Sequence, residues 1–305
     1  MTERIKGVLS PIVTPFKADY SPDTARFARQ CKWLLANDVG LAVFGTNSEA
    51  NSISVDERMK LLDGLMEAGI DPRRMMPGTG CSAITDSVRL TAHAVKLGCA
   101  GVLMLPPFYY KGVSDEGLFR NYAEIIERVA DPRLQVYLYH IPPVSQVPIT
   151  LNLIERLLKA YPKSVAGIKD SSGDWNNTKA VLDNFAKEGF DVYPGSETFL
   201  LAGLRNGGVG CISATANVNP KAIANLYQKW QTPEADQLQK ELDAVRGAFA
   251  KYPMIPALKQ AVAHWSGDAG WATVRPPLVE LTPEQIKGLL NDLEALRFDM
   301  PGLKN

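Results

Sequence analysis

A chain of 305 residues in which 33 basic residues offset 33 acidic ones carries no net field to gather nucleic acid or an anionic membrane. Its 46 % hydrophobic and 22 % charged content is that of a globular protein. The longest apolar stretches fall short of the roughly 20 residues of a membrane span, and the N-terminal residues lack a signal-peptide core, so a cytoplasmic enzyme or binding protein is expected.

From Gly7 onward, short apolar runs alternate with amphipathic segments. The runs are Val8–Val13, Leu41–Phe44, Met75–Pro77, Gly101–Leu105, Gln135–Tyr139, Val165–Ile168, Phe190–Tyr193 and Val209–Ser213. Helical periodicity fills the spaces, for example at Asp23–Ala36, Val55–Ala68, Ala83–Leu97, Glu116–Val129 and Leu151–Ala160. Ser54 with Glu57 reads as a capping box, and Ser114 and Thr150 are suitable N-caps. About eight strand–helix units fit an α/β fold of the (β/α)8 barrel type, although a doubly wound open sheet has the same rhythm. Beyond Trp230 the strands stop: Thr232-Pro-Glu, Ile255–Trp265 and Thr282-Pro-Glu-Gln285 announce three helices. We therefore expect a barrel over 1–229 and a helical appendage over 230–305.

The chemistry gathers where the runs end. Val165-Ala-Gly-Ile168 has the continuous apolar character of a strand buried on both faces, and it ends in Lys169, followed by Asp-Ser-Ser-Gly. Burial disfavours an ammonium, and a neutral amine attacks a carbonyl to form a Schiff base. A plain lysine emerging into solvent is the competing reading. After the second run, Gly45-Thr46-Asn47-Ser48-Glu49 offers hydroxyls and backbone N–H groups that open a helix and could hold a carboxylate, or simply cap it. Gly78-Thr-Gly80 reads as a turn, and Pro106-Pro-Phe-Tyr109-Tyr110 as an aromatic loop suited to packing or a subunit contact. Tyr137 and Tyr139 fall on one strand face, and either could shuttle protons beside the lysine. Gly195-Ser-Glu197 and Gly210-Cys-Ile212-Ser213 close the set. Four scattered cysteines without a Cys-x-x-Cys pair, and three isolated histidines, argue against a disulfide framework or a metal site. Neither a Gly-x-Gly-x-x-Gly nor a Walker-type loop occurs, which argues against nucleotide use.

Taken in order, Gly-Thr-x-x-Glu, Pro-Phe-Tyr-Tyr, Tyr-x-Ile-Pro, Gly-Ile-Lys-Asp-Ser-Ser-Gly and Gly-x-Ile-Ser-x-x-Ala-Asn resemble the dihydrodipicolinate synthase / N-acetylneuraminate lyase family. The resemblance spans about Gly7 to Pro220. It implies a (β/α)8 barrel with a C-terminal three-helix region, a homotetramer built as a dimer of dimers, and class I chemistry on pyruvate or another 2-oxo acid. No metal or cofactor is implied, because the covalent imine is made with the enzyme's own lysine. Lys169 matches the Schiff-base lysine, Tyr139 the proton-relaying tyrosine and Thr46 a relay hydroxyl. Asn47 falls where the family holds the pyruvate carboxylate. Tyr109, with Tyr110 as the alternative, looks like the tyrosine that reaches a neighbouring subunit's site. Gly195 and Ile212 match backbone positions lining the lysine.

Departures from the pattern bear on substrate. Where the synthase places an arginine for the carboxylate of aspartate semialdehyde, this chain has Val144, which cannot make that directional pair. Ala50–Val55 lacks the polar set used for lysine feedback in some synthases. The sialic-acid lyase branch carries paired acids after the glycine of strand seven; here Ser196-Glu197-Thr198 has one. His140 replaces a common asparagine. The expected function is thus a Schiff-base aldolase that makes or breaks a C–C bond next to pyruvate, with an aldehyde as second substrate or product. Ser145, Gln146, Ser171 and Glu197 are candidates for the variable pocket. Dehydration of a 2-keto-3-deoxy sugar acid stands second and 4-hydroxy-tetrahydrodipicolinate synthesis third. A non-catalytic 2-oxo-acid sensor is the alternative of another class.

Overall fold

The computed structural model describes residues 4–303. In chain order the elements are β1 (Gly7–Ser10), α1 (Thr24–Ala36), β2 (Gly40–Leu41), α2 (Val55–Glu67), α3 (Ile84–Leu97), β3 (Val102–Met104), α4 (Asp115–Val129) and β4 (Val136–His140). There follow α5 (Pro142–Ser145), α6 (Leu151–Ala160), β5 (Val165–Asp170), α7 (Trp175–Phe185), β6 (Asp191–Pro194), α8 (Leu200–Arg205) and β7 (Gly210–Ile212). The chain ends in α9 (Pro220–Lys229), α10 (Ala235–Ala250), α11 (Met254–Ser266) and α12 (Pro283–Ala295). Of the described residues, 4–6 with 71–211 form one compact unit and 7–70 with 212–303 the other.

The first unit is built on a parallel sheet in the order β3-β4-β5-β6. All six residues of β5 are buried, as its unbroken apolar run requires of a strand covered on both faces. Gly167 is the close point of this sheet: a Cβ there would sit 2.3 Å from Asp191 O and 2.8 Å from the Tyr137 ring. The Tyr137 hydroxyl donates to Asp191 Oδ2 at 3.0 Å, so this tyrosine is a bonded core residue. Met75–Pro77, read as a strand, is an irregular segment that still exchanges ladder bonds with β3: Leu103 N donates to Pro77 O and Thr79 N to Leu103 O. Pro77 has no N–H to extend that ladder.

In the second unit β1 pairs with β2, and Ser213 N donates to Leu9 O at 3.2 Å. The run Leu41–Phe44 gives only a two-residue strand, because Phe44 turns the chain with a φ of 61°. The predicted capping box of Ser54 with Glu57 forms, and Thr282 with Gln285 makes another at the start of α12. Ser114 and Thr150 cap α4 and α6. The helices α10, α11 and α12 close over an apolar core in which Phe249, Leu258, Val262, Trp271 and Leu289 pack with Val13 and Val218.

Candidate active site

Lys169 is the fifth residue of β5 and is only 2 % exposed. Its partner across the ladder is Tyr139, and the ammonium lies 4.2 Å from the centroid of that ring. Among the described residues no carboxylate pairs with this lysine. The solvent-exposed reading is therefore excluded, and the amine sits where a reactive one is expected: at a strand's carboxyl end, against an aromatic face. Period-two alternation puts Tyr137 and Tyr139 on the same face of β4, but Tyr137 is already bonded to Asp191, which leaves Tyr139 as the tyrosine beside the lysine.

The strand ends beyond Lys169 stay tied together. Ser171 N donates to His140 O and Gly195 N to Asp170 O, both at 2.7 Å. A Cβ on Gly195 would fall 2.0 Å from Ser171 Oγ and 2.8 Å from Ser171 Cα, so only glycine permits this approach. Ser171 and Gly195 thus border the strand end that carries the lysine. Glu197, 1 % exposed, starts the short turn Glu197–Phe199 that follows.

Asp170 and His140 are functional candidates to which the sequence reading assigned no role. Asp170 accepts bonds from Thr178 Oγ1 (2.6 Å), Asn177 Nδ2 (3.0 Å) and Ser172 N (2.9 Å). His140 Nε2 stands 3.9 Å from Asp170 Oδ1, and its Nδ1 accepts from Ile149 N at 2.9 Å. Burial lowers the His140 pKa below the ordinary histidine value, with Asp170 opposing. The ring thereby ties the 141–149 segment to the end of β4, the strand that pairs with the one bearing Lys169. The signal for it was weak: adjacent polar residues at two strand ends, on the face opposite Lys169 and Tyr139.

Two pocket candidates lie differently from what their residue types suggested. Ser145 spends its hydroxyl on its own turn, donating to Ile141 O and accepting from Val147 N, and is buried. Gln146 is exposed with a positive φ of 53°. Val144 is 59 % exposed. Tyr109 and Tyr110 are 74 % and 73 % exposed and pack edge to face at 5.3 Å. Lys111 joins their loop to the 141–147 segment through Phe108 O and, at 2.8 Å, Ser145 O.

In the second unit Thr46 and Asn47 are half-buried. The segment Gly45–Glu49 does not open an α-helix, contrary to the sequence expectation. It forms consecutive turns, Ser48 N to Gly45 O and Glu49 N to Thr46 O, and α2 begins only at Val55. Any hold on a carboxylate therefore comes from individual N–H and hydroxyl groups and not from a helix terminus. Ile212 is fully buried at the end of β7. Among the described residues no cluster of histidine, cysteine, aspartate and glutamate has metal-site geometry.

A family model described as the dihydrodipicolinate synthetase family matches residues 4–296. The chain is 33 % identical to an uncharacterized DapA-like lyase of Chloroflexus aurantiacus, over 93 % of this chain and 94 % of the relative. It is 30 % identical to a 4-hydroxy-tetrahydrodipicolinate synthase of Methanococcoides burtonii, over 95 % and 98 %. Among solved structures it resembles a dihydrodipicolinate synthase from Agrobacterium tumefaciens, with a TM-score of 0.89, 30 % identity and coverage of 96 % and 99 %. It also resembles an E. coli prophage protein of the dihydrodipicolinic acid synthase family, solved with pyruvate, with a TM-score of 0.88, 25 % identity and the same coverage. The fold class is that of these structures, a (β/α)8 barrel with a C-terminal helical part, and the open-sheet alternative falls away.

Proposed function

From the membership of this chain in the dihydrodipicolinate synthetase family, which makes it a lyase of the class I aldolase type, we propose that it joins or separates pyruvate and an aldehyde through an imine on Lys169. The observation that carries this reading is the buried Lys169 amine against the Tyr139 ring with no paired carboxylate among the described residues. The Lys169 amine adds to C2 of the 2-oxo acid, and one proton delivered to the departing oxygen releases water and leaves an iminium. In the cleavage direction the C4 hydroxyl gives up its proton, the C3–C4 electron pair moves into the iminium, and aldehyde and enamine separate. Protonation at C3 and hydrolysis return pyruvate, the free amine and the proton. Tyr139 is assigned the proton transfers, with Thr46 and Tyr109 as relay hydroxyls. Asn47 is assigned to the carboxylate, Gly195 and Ile212 to the lining of the lysine, and Ser171 and Glu197 to the second substrate. No resident cofactor enters the scheme.

A second reading, 4-hydroxy-tetrahydrodipicolinate synthesis, is favoured by the names of the relatives. Val144 opposes it, since an exposed valine offers a substrate carboxylate no ionic partner. Dehydration of a 2-keto-3-deoxy sugar acid would use the same imine. The proposal extends to a homotetramer, supported by the exposed Tyr109–Tyr110 pair, whose burial would bring Tyr109 to a neighbouring site.

Borohydride reduction in the presence of pyruvate, read by intact mass, tests the reading. The expected result is one pyruvyl adduct per chain, abolished in Lys169→Ala; no adduct at millimolar pyruvate refutes it. Efficient condensation of pyruvate with aspartate semialdehyde would establish the second reading instead.

A further inference from the structure

A second lysine is buried in this chain, and the chemistry above leaves it unused. Lys259, on α11, is 0 % exposed. Its ammonium donates to Glu49 Oε1 at 2.5 Å and to Thr273 O at 2.6 Å, and it lies 4.4 Å from the centroid of the Phe16 ring. The other oxygen of Glu49 accepts from Arg275 N at 2.8 Å, and the Arg275 side chain donates to Ser52 O at 2.6 Å. Both carboxylate oxygens of Glu49 are therefore held from the segment 259–275.

Glu49 ends the turn that begins at Gly45 and adopts a φ of 57°, a left-handed conformation that a side-chain-bearing residue takes at a cost. Inside the turn Gly45 N donates to Ser48 Oγ, Thr14 Oγ1 donates to Ser48 O, and Glu49 N donates to Thr46 O. These bonds occupy the ends of the turn. Among the described residues the Asn47 N–H has no protein acceptor and remains available to a ligand. A buried ion pair contributes little net stability, because desolvation offsets the attraction, but it fixes direction strongly.

We propose that Lys259 and Glu49 are positioning residues that hold the Thr46–Asn47 turn in the shape that binds the 2-oxo acid's carboxylate. This rests on the proposed assignment of that turn to pyruvate. Neither residue touches the reacting atoms. Their loss should weaken pyruvate binding and leave the imine-forming step itself close to intact.

The experiment measures the rate of borohydride-trapped adduct formation against pyruvate concentration in the full-length protein, which gives half-saturation and maximal rate without the second substrate. Wild type comes first: absence of an adduct there refutes the imine reading, and the present inference with it. With the adduct established, Glu49→Gln and Lys259→Met should each raise half-saturation about tenfold, the worth of a lost charge-assisted contact, with maximal rate changed far less. The double variant should be no worse than either single one, and Lys259→Arg should recover most of the affinity. Folded variants whose half-saturation stays within about twofold of wild type, or whose loss falls on the maximal rate alone, overturn the inference. Should Glu49→Gln and Lys259→Met fail to fold, Glu49→Asp, which keeps the charge but shortens its reach, is decided by the same criterion.

Discussion

Lys169 and Tyr139 are partners across the β4–β5 ladder, and the lysine ammonium rests 4.2 Å from the centre of the tyrosine ring. Lys259 is equally buried but is matched by Glu49. The difference matters for chemistry. Burial lowers the Lys259 pKa to about 8 with Glu49 opposing, so the carboxylate favours the ammonium there, whereas an aromatic face tolerates an ammonium, a neutral amine and an iminium in turn. The Tyr139 ring is thus suited to every charge state through which an imine-forming lysine passes.

The ring and the hydroxyl of Tyr139 can be separated. Tyr139→Phe keeps the aromatic face, so pyruvate should still be trapped on Lys169 to full stoichiometry. Steady-state turnover should fall by about 10²- to 10⁴-fold, the usual worth of a positioned acid–base group. Intact mass and turnover of the same sample check it. Turnover within a factor of about ten of wild type would remove Tyr139 from the proton-transfer role.

The residues that end a strand were the legible part of this molecule. An apolar run stopping in Lys169 predicted β5, because burial on both faces leaves an unbroken hydrophobic signature, but it left open whether the lysine stays buried or emerges into solvent. Alternation put Tyr137 and Tyr139 on one face, but only the hydrogen bond from Tyr137 to Asp191 and the contact of Lys169 with the Tyr139 ring tell them apart. Partners far apart in sequence were not legible. His140 meets Asp170, and Lys259 meets Glu49 across 210 positions, through side chains whose meeting no local period encodes. A lysine in the apolar stretch of α11 was the one available sign, and it named no partner. The Gly45–Glu49 turn was misread as a helix start because its Ser and Asn are also good caps; the left-handed Glu49, after which only a three-residue 3₁₀ turn forms before α2, leaves no mark on sequence.

Acid sensitivity should trace in part to Glu57, half-buried at the start of α2. Hydrogen bonds from Arg275 hold its carboxyl down at about 2, against 4.5 for an ordinary glutamate. A carboxylate depressed in the folded state adds stability that is fully present above the unfolded value and is lost as pH falls toward the folded one. Glu57→Gln keeps the shape and the cap but removes that titration. We expect it to cost about 1 kcal/mol at pH 7, allowing for solvent screening of a partly exposed pair. The gap from wild type should close steadily between pH 4.5 and about 2. Urea denaturation at pH 7 and pH 3 measures this, and an equal gap at both values would contradict it.

The approach of Gly195 to Ser171 gives the most local test of how the lysine is positioned. An alanine Cβ at 195 would lie 2.0 Å from Ser171 Oγ and 2.8 Å from Ser171 Cα. Rotating the serine hydroxyl away removes the first clash but not the second, which is with backbone. The chain must therefore shift at Ser171, whose N–H bonds His140 O and which follows Lys169 by two residues. We expect Gly195→Ala to destabilise the protein by about 1–3 kcal/mol, as overpacking does. The rate of pyruvate trapping should fall by at least about tenfold, because a small misplacement of the amine spoils its line of attack. Adding Ser171→Ala should restore only part of either loss, since the clash with the backbone of residue 171 remains. Urea midpoints and trapping rates on the single and double variants decide it. A Gly195→Ala protein with wild-type trapping would mean that this close approach, though tight, does not set the position of Lys169.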